Sequence, residues 1–226
     1  VISKRFATGP AAASQHGTDV ALVIADPSRL SDVTLYSADV VSVEEEVGTA
    51  ARAETLIEAL DWLASNKVHL VNISLAGPYN KLLDVAVQAA QMHGMILVTS
   101  VGNTGPDSAP LYPAGFEYSI AVTAVDADER IYPKAVHGAQ VDVAAPGVDI
   151  FVPSGNGGHF VSGTSIAAPF VTARILADPE WFAAQSASEL RRLLSSSSRD
   201  LGSAGKDPLF GLGLLQGVQS CPVIQN

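Results

Sequence analysis

An α/β domain with a mostly parallel sheet covered by helices is what the sequence predicts, on three observations. Between residues 33 and 100, short apolar runs rich in β-branched residues alternate with amphipathic stretches of helical spacing. Glycine-bearing loops follow two of those runs, where parallel sheets gather their sites. The 226 residues are 47% apolar and 16% charged, a composition that supports one packed core rather than a disordered chain. A single domain over residues 1–226 is the expectation.

In chain order, His16-Gly17-Thr18-Asp19-Val20-Ala21 opens a first apolar helix, and Val33 to Val41 is expected to form a mostly buried strand. Residues 51–65 place Leu56, Ile57, Leu60 and Leu63 on one helical face and Glu54, Glu58 and Asp61 on the other. Val68 to Ser74 is a second strand, and Lys81 to His93 a helix closed by Gly94. Met95 to Ser100 follows as a strand, then Tyr118 to Val125 and Gln140 to Ala145. Thr164 to Leu176 is a helix entered from a Gly-Thr-Ser turn. Ser195-Ser196-Ser197-Ser198 is expected to be a surface loop.

Thirteen Lys and Arg against 23 Asp and Glu leave a net charge of −10, a field that repels a phosphate backbone, so nucleic acid is not an expected partner. One cysteine, Cys221, makes neither an internal disulfide nor a cysteine metal cluster. No run is long and apolar enough for a membrane span, and residues 1–25 lack the layout of a signal peptide.

Three residues stand in settings suited to acyl transfer. Ser165 lies in the first turn of an apolar helix after Gly163, where an unpaired N–H and the helix dipole favour a developing oxyanion; it also suits a simple N-cap. His16, at another helix start beside Gly17, is positioned to serve as a base. Asn103, in a glycine-rich loop, offers an amide donor or a turn residue. His69, His93, His137 and His159 are expected to be structural.

Taken together, His16-Gly-Thr-x-Val-Ala, Val-Asn-Ile-Ser-Leu-Ala-Gly at 71–77, Gly102-Asn103, Tyr-Pro-Ala at 112–114, Ala-Pro-Gly at 145–147, Gly-Thr-Ser-x-Ala-x-Pro at 163–169 and Gly211-Leu-Gly-Leu stand in one order. That order resembles the subtilisin-like serine proteases. The resemblance implies a three-layer fold and peptide-bond hydrolysis of a peptide or protein substrate, without an organic cofactor, in a secreted or extracytoplasmic protein. It further implies Ser165 as nucleophile, His16 as general base, and Asn103 with the Ser165 N–H as oxyanion hole. Ser74, Leu75, Ala76 and Gly77 would pair with extended substrate, and Ser100, Val101 and Gly102 would line the primary specificity pocket.

The pattern breaks at one point. The family's triad aspartate stands upstream of the histidine, yet residues 1–15 contain neither Asp nor Glu. Asp19 is expected to complement the helix dipole rather than orient the base. The expectation is a peptidase domain that is N-terminally incomplete, completed by a separate N-terminal segment carrying the aspartate. The alternative is a non-catalytic pseudoprotease that binds extended peptides. Leu111 is expected to make the primary pocket shallow, and Glu44-Glu45-Glu46 to form a solvated acidic turn or to favour basic substrate residues. Calcium is a minor expectation at Asp126-Ala127-Asp128-Glu129, which lacks the glycine and alternating oxygen ligands of a dedicated loop.

Overall fold

The computed structural model describes residues 1–10, 15–25, 33–44, 48–155 and 157–217, so Glu45, Glu46 and Cys221 lie outside them. The first half contains β1 (Ile2–Arg5), α1 (His16–Ile24), β2 (Tyr36–Asp39), β3 (Val41–Glu44), β4 (Gly48–Ala51), α2 (Ala53–Ser65), β5 (Leu70–Ile73), α3 (Lys81–Met92) and β6 (Ile96–Ser100). The second contains β7 (Ser119–Val125), β8 (Val143–Pro146), β9 (Ile150–Ser154), β10 (Gly157–Val161), α4 (Thr164–Leu176), α5 (Pro179–Phe182), α6 (Ala187–Ser197), β11 (Ser198–Arg199) and β12 (Leu214–Leu215).

The main sheet has the order β11-β12-β8-β7-β6-β5, parallel throughout except for β11 at one edge. Every residue of β6 and β7 is buried, which fits central parallel strands covered on both faces. Side-chain alternation makes the layers. Ile96 and Val98 of β6 pack with Val171 and Ile175 of α4 and with Leu190 and Leu194 of α6. Leu97 points the other way, into Leu60 and Leu63 of α2 and Leu83 and Val87 of α3. Helix, sheet and helix therefore form the three-layer α/β arrangement that the sequence predicts.

Several elements differ from expectation. The strand expected over Val33 to Val41 divides into β2 and β3, because the Asp39 carboxylate accepts the Val41 N–H at 3.4 Å and turns the chain. Of the four serines expected in a loop, Ser195 to Ser197 complete α6 and Ser198 opens β11. The buried stripe of Leu190, Leu193 and Leu194 carries that helix, and the Ser196 hydroxyl donates back to the Leu193 carbonyl at 2.9 Å. β1 pairs in parallel with β2 outside the main sheet, and β9 pairs with β10 as an antiparallel hairpin.

One buried carboxylate ties the sheet to its covering layer. Asp142, 1% exposed, accepts the Ala121 N–H at 3.0 Å, Arg191 Nε at 2.8 Å and Nη2 at 3.0 Å, and Lys206 Nζ at 2.9 Å. Arg191 also donates to the carbonyls of Glu117 and Ser119 at the entry to β7. Removing one partner of a buried pair leaves an under-compensated charge. Arg191→Ala is therefore expected to destabilise the protein by about 3 kcal/mol, measured by urea unfolding; a loss below about 0.5 kcal/mol would show that Lys206 alone satisfies the carboxylate.

Candidate active site

α4 is buried on nearly all sides, with Thr164, Ile166, Ala167, Ala168, Pro169, Val171, Thr172 and Ile175 all inaccessible. Its first turn lies beyond the carboxyl ends of β5 and β6, so its unpaired backbone groups need partners from neighbouring loops. Gly163, just before the helix, has φ 153°, and its N–H donates to the Gly147 carbonyl at 2.7 Å. A Cβ at Gly147 would lie 2.7 Å from the Ala124 Cβ and 2.9 Å from the Ala167 Cβ, so only glycine lets the helix approach this closely.

Asn103 is locked onto the helix entry. Its Oδ1 accepts the Thr164 N–H at 3.0 Å and the Thr164 hydroxyl at 2.9 Å, while Thr164 Oγ1 accepts the Gly102 N–H at 3.1 Å. With the amide oxygen committed there, Nδ2 turns toward Gly163. A Cβ at Gly163 would stand 3.2 Å from Asn103 Nδ2 and 3.3 Å from Ser165 Oγ. The amide and the hydroxyl thus converge on one spot, kept open by the missing side chain. The first-turn N–H of Ser165 adds a second donor on the positive end of the helix dipole.

Pro169 has a consequence four residues upstream. It lacks the N–H that would pair with the Ser165 carbonyl. The Ser74 hydroxyl fills that role, donating to Ser165 O at 2.7 Å. Ser74 is held in turn by the Asn72 amide at 2.9 Å, and Thr172 Oγ1 lies 3.0 Å from Asn72 Oδ1. The loop after β5 is thereby bonded to the residue on which the chemistry would centre.

α1 begins with half-buried His16 and packs on α4 and β9. Ile166, next to Ser165, shares an apolar cluster with Val20, Val23, Val152 and Val161. The helix that opens with His16 is therefore seated against the helix whose first turn carries Ser165. Asp19 is in the first turn of α1 as expected, but it is 3% exposed and meets His159 Nε2 at 3.1 Å. This first-turn acid therefore also makes a directional contact with a distant, partly exposed imidazole, and His159 stands on β10.

The expected substrate walls are narrower than the sequence suggests. Gly77 both donates to and accepts from Tyr112, at 2.9 and 2.8 Å, so its backbone is already paired and only Ser74, Leu75 and Ala76 remain as the candidate edge. Val101 is fully buried in a cluster with Ala114, Ala121, Ala135 and Val141, and Ser100 is 2% exposed. Their side chains turn inward, leaving Gly102 as the part of that wall that meets Leu111. A Cβ at Gly102 would fall 2.5 Å from Leu111 Cδ1 and 3.3 Å from the Ala76 Cβ.

In the acidic loop considered for calcium, Asp126 is engaged by neighbouring residues. Asp126 accepts the N–H groups of Asp128 and Arg130 at 2.9 Å each and the Arg130 Nε at 2.8 Å. These bonds, led by the Arg130 backbone, hold the Asp126 carboxyl below the ordinary carboxylate range. Among the described residues, no group of three His, Cys, Asp or Glu is arranged to hold a metal ion.

A layered α/β protein with a serine and an amide brought together beyond its strand ends, and a helix opening with a histidine packed alongside, is the class that fold and site define. The Subtilase family matches residues 7–213, and the chain belongs to that family. It is 30% identical to Subtilisin DY of Bacillus licheniformis over 209 residues, covering 88% of this chain and 75% of that protein. It is 32% identical over 165 residues to the Minor extracellular protease Epr of Bacillus subtilis (strain 168), covering 72% of this chain but only 26% of that protein. Among solved structures, a cold adapted subtilisin-like serine proteinase shares the fold with TM-score 0.77 and 25% identity, over 91% of this chain and 75% of that one. The Prenylagaramide maturation protease PagA superposes with TM-score 0.73 at 22% identity, over 95% of this chain and 83% of that one, and shares the fold.

Ser74→Ala would leave the Ser165 carbonyl without its donor. The expected loss is about 1–3 kcal/mol in unfolding free energy, read by thermal or urea denaturation; an unchanged midpoint would mean that the carbonyl finds another partner.

Proposed function

We propose that this chain is the core of a serine endopeptidase that hydrolyses peptide bonds through an acyl-enzyme. The observation that carries this reading is the convergence of Asn103 Nδ2 and Ser165 Oγ beside Gly163, on a helix packed against the one that His16 opens. Ser165 Oγ attacks the scissile carbonyl carbon as His16 removes its proton. The resulting oxyanion accepts hydrogen bonds from Asn103 Nδ2 and the Ser165 N–H. His16 then protonates the leaving amine, the C–N bond breaks, and water releases the acyl group by the reverse sequence. No organic cofactor takes part in these steps.

The carboxylate that orients His16 is proposed to come from a separate, extended N-terminal segment. Among the described residues, β2 pairs only with β1 and β5 only with β6. Tyr36 of β2 packs on the same cluster as Val71 and Ile73 of β5. A further strand between these two edges would satisfy their backbone groups and extend the parallel sheet. Extended substrate would pair along Ser74 to Ala76, with Leu111 limiting the primary pocket to small or medium side chains. The similarity to an extracellular protease and to subtilisins supports a secreted or extracytoplasmic location, and no described helix is long and apolar enough to cross a membrane.

Full-length protein is expected to label with a fluorophosphonate at Ser165, and Ser165→Ala to abolish labelling. Failure of the full-length protein to label would favour a peptide-binding pseudoprotease. Loss of one oxyanion donor in this family lowers turnover by about 10² to 10³, and Asn103→Ala is expected in that range. Leu111→Gly is expected to shift cleavage preference toward larger residues in a peptide library; an unchanged profile would remove Leu111 from the pocket.

A further inference from the structure

The hairpin that leads into Ser165 has two unlike faces. Phe151 and Phe160 lie opposite each other on the outer face, exposed and in edge-to-face contact at 5.4 Å. On the inner face, Val152, Val161 and Ile150 join the apolar cluster of Val20, Val23 and Ile166, and His159 lies directly across from Val152. His159 is the only titratable residue in the two strands. It reaches Asp19, whose side chain is 5% exposed and whose Oδ1 is buried with no hydrogen-bond partner among the described residues.

Such a pair is poorly suited to adding stability, since the His159 side chain is 39% exposed and one carboxylate oxygen has no partner among the described residues. Its placement suggests another role. Asp19 is three residues after His16, on the same stripe of α1. His159 is six residues before Ser165, and Ser162, between them, is bonded to Asp149 at the base of the hairpin. We propose that Asp19 and His159 form a positioning clamp that sets the spacing between the His16 imidazole and the Ser165 hydroxyl. Apolar packing allows the hairpin to slide against α1, whereas a directional hydrogen bond to a buried carboxylate fixes one register. This role rests on the hydrolase reading for its consequence, but the clamp itself can be tested apart from it.

The test compares His159→Leu, the paired Asp19→Leu/His159→Leu variant and the conservative His159→Gln in the full-length protein. Three properties are read: thermal midpoint, fluorophosphonate labelling rate at Ser165, and the His16 ring resonance in a ¹H–¹³C spectrum at fixed pH. His159→Leu should lower the midpoint and slow labelling by about tenfold to a hundredfold, the scale expected of a small misplacement of reacting groups. The paired variant should recover the midpoint while labelling stays slow and the His16 resonance stays displaced. His159→Gln, which keeps an N–H donor near the position of Nε2, should retain both. Wild-type labelling and an unmoved His16 resonance in the paired variant would overturn the clamp. If wild-type protein does not label, the hydrolase reading fails, and the His16 resonance alone decides the clamp: displacement in both leucine variants but not in His159→Gln supports it, and no displacement refutes it.

Discussion

The first turn of α4 lies largely buried beyond the ends of β5 and β6, so backbone groups left unpaired there and not reserved for a ligand need partners from other parts of the chain. Asn103 takes the Thr164 N–H, Ser74 supplies the Ser165 carbonyl, and Gly147 accepts from Gly163. Each of these contacts also fixes a feature of the site. The first aims the Asn103 amide, the second holds the serine turn in place despite Pro169, and the third brings α4 close against the strand ends. Satisfying a helix terminus and assembling a reactive constellation are here the same set of hydrogen bonds.

Two buried carboxylates show how differently charge is handled in this fold. Asp142 is surrounded by a guanidinium, an ammonium and a backbone N–H, so both of its oxygens are engaged and it joins the sheet to α6 and the C-terminal segment. Asp19 has one imidazole partner and one oxygen without a partner among the described residues. The first arrangement is what a stable core requires. The second leaves one oxygen without a partner among the described residues and links the helix that His16 opens to the hairpin that precedes α4.

Much of the architecture was legible because periodicity reports burial. Thr164 to Leu176 was expected as a helix and forms α4 over those residues, and α2, α3, β5, β6 and β7 fall within a few residues of their expected spans. β1 was not anticipated because all four of its residues are exposed, so no buried face imposes a pattern. The β9–β10 hairpin was obscured by Pro153, Gly155, Gly157 and Gly158, which read as loop punctuation, although Gly158 serves to let the Phe151 ring lie across the strand. The alternation of Ile150, Val152, His159 and Val161 was the available signal.

The sequence by itself determined the family motifs, the residue types able to do acyl transfer, and the layered α/β class, because these depend on local spacing and on which side chains seek burial. Only the tertiary structure decided where the groups point. It turned Val101 into the core, paired Gly77 with Tyr112, brought Asn103 and Ser165 to one point, and joined Asp19 to a histidine 140 residues away. Such pairings between distant segments leave no periodic trace along the chain, since a hydrogen bond depends on distance and angle in space rather than on separation in sequence.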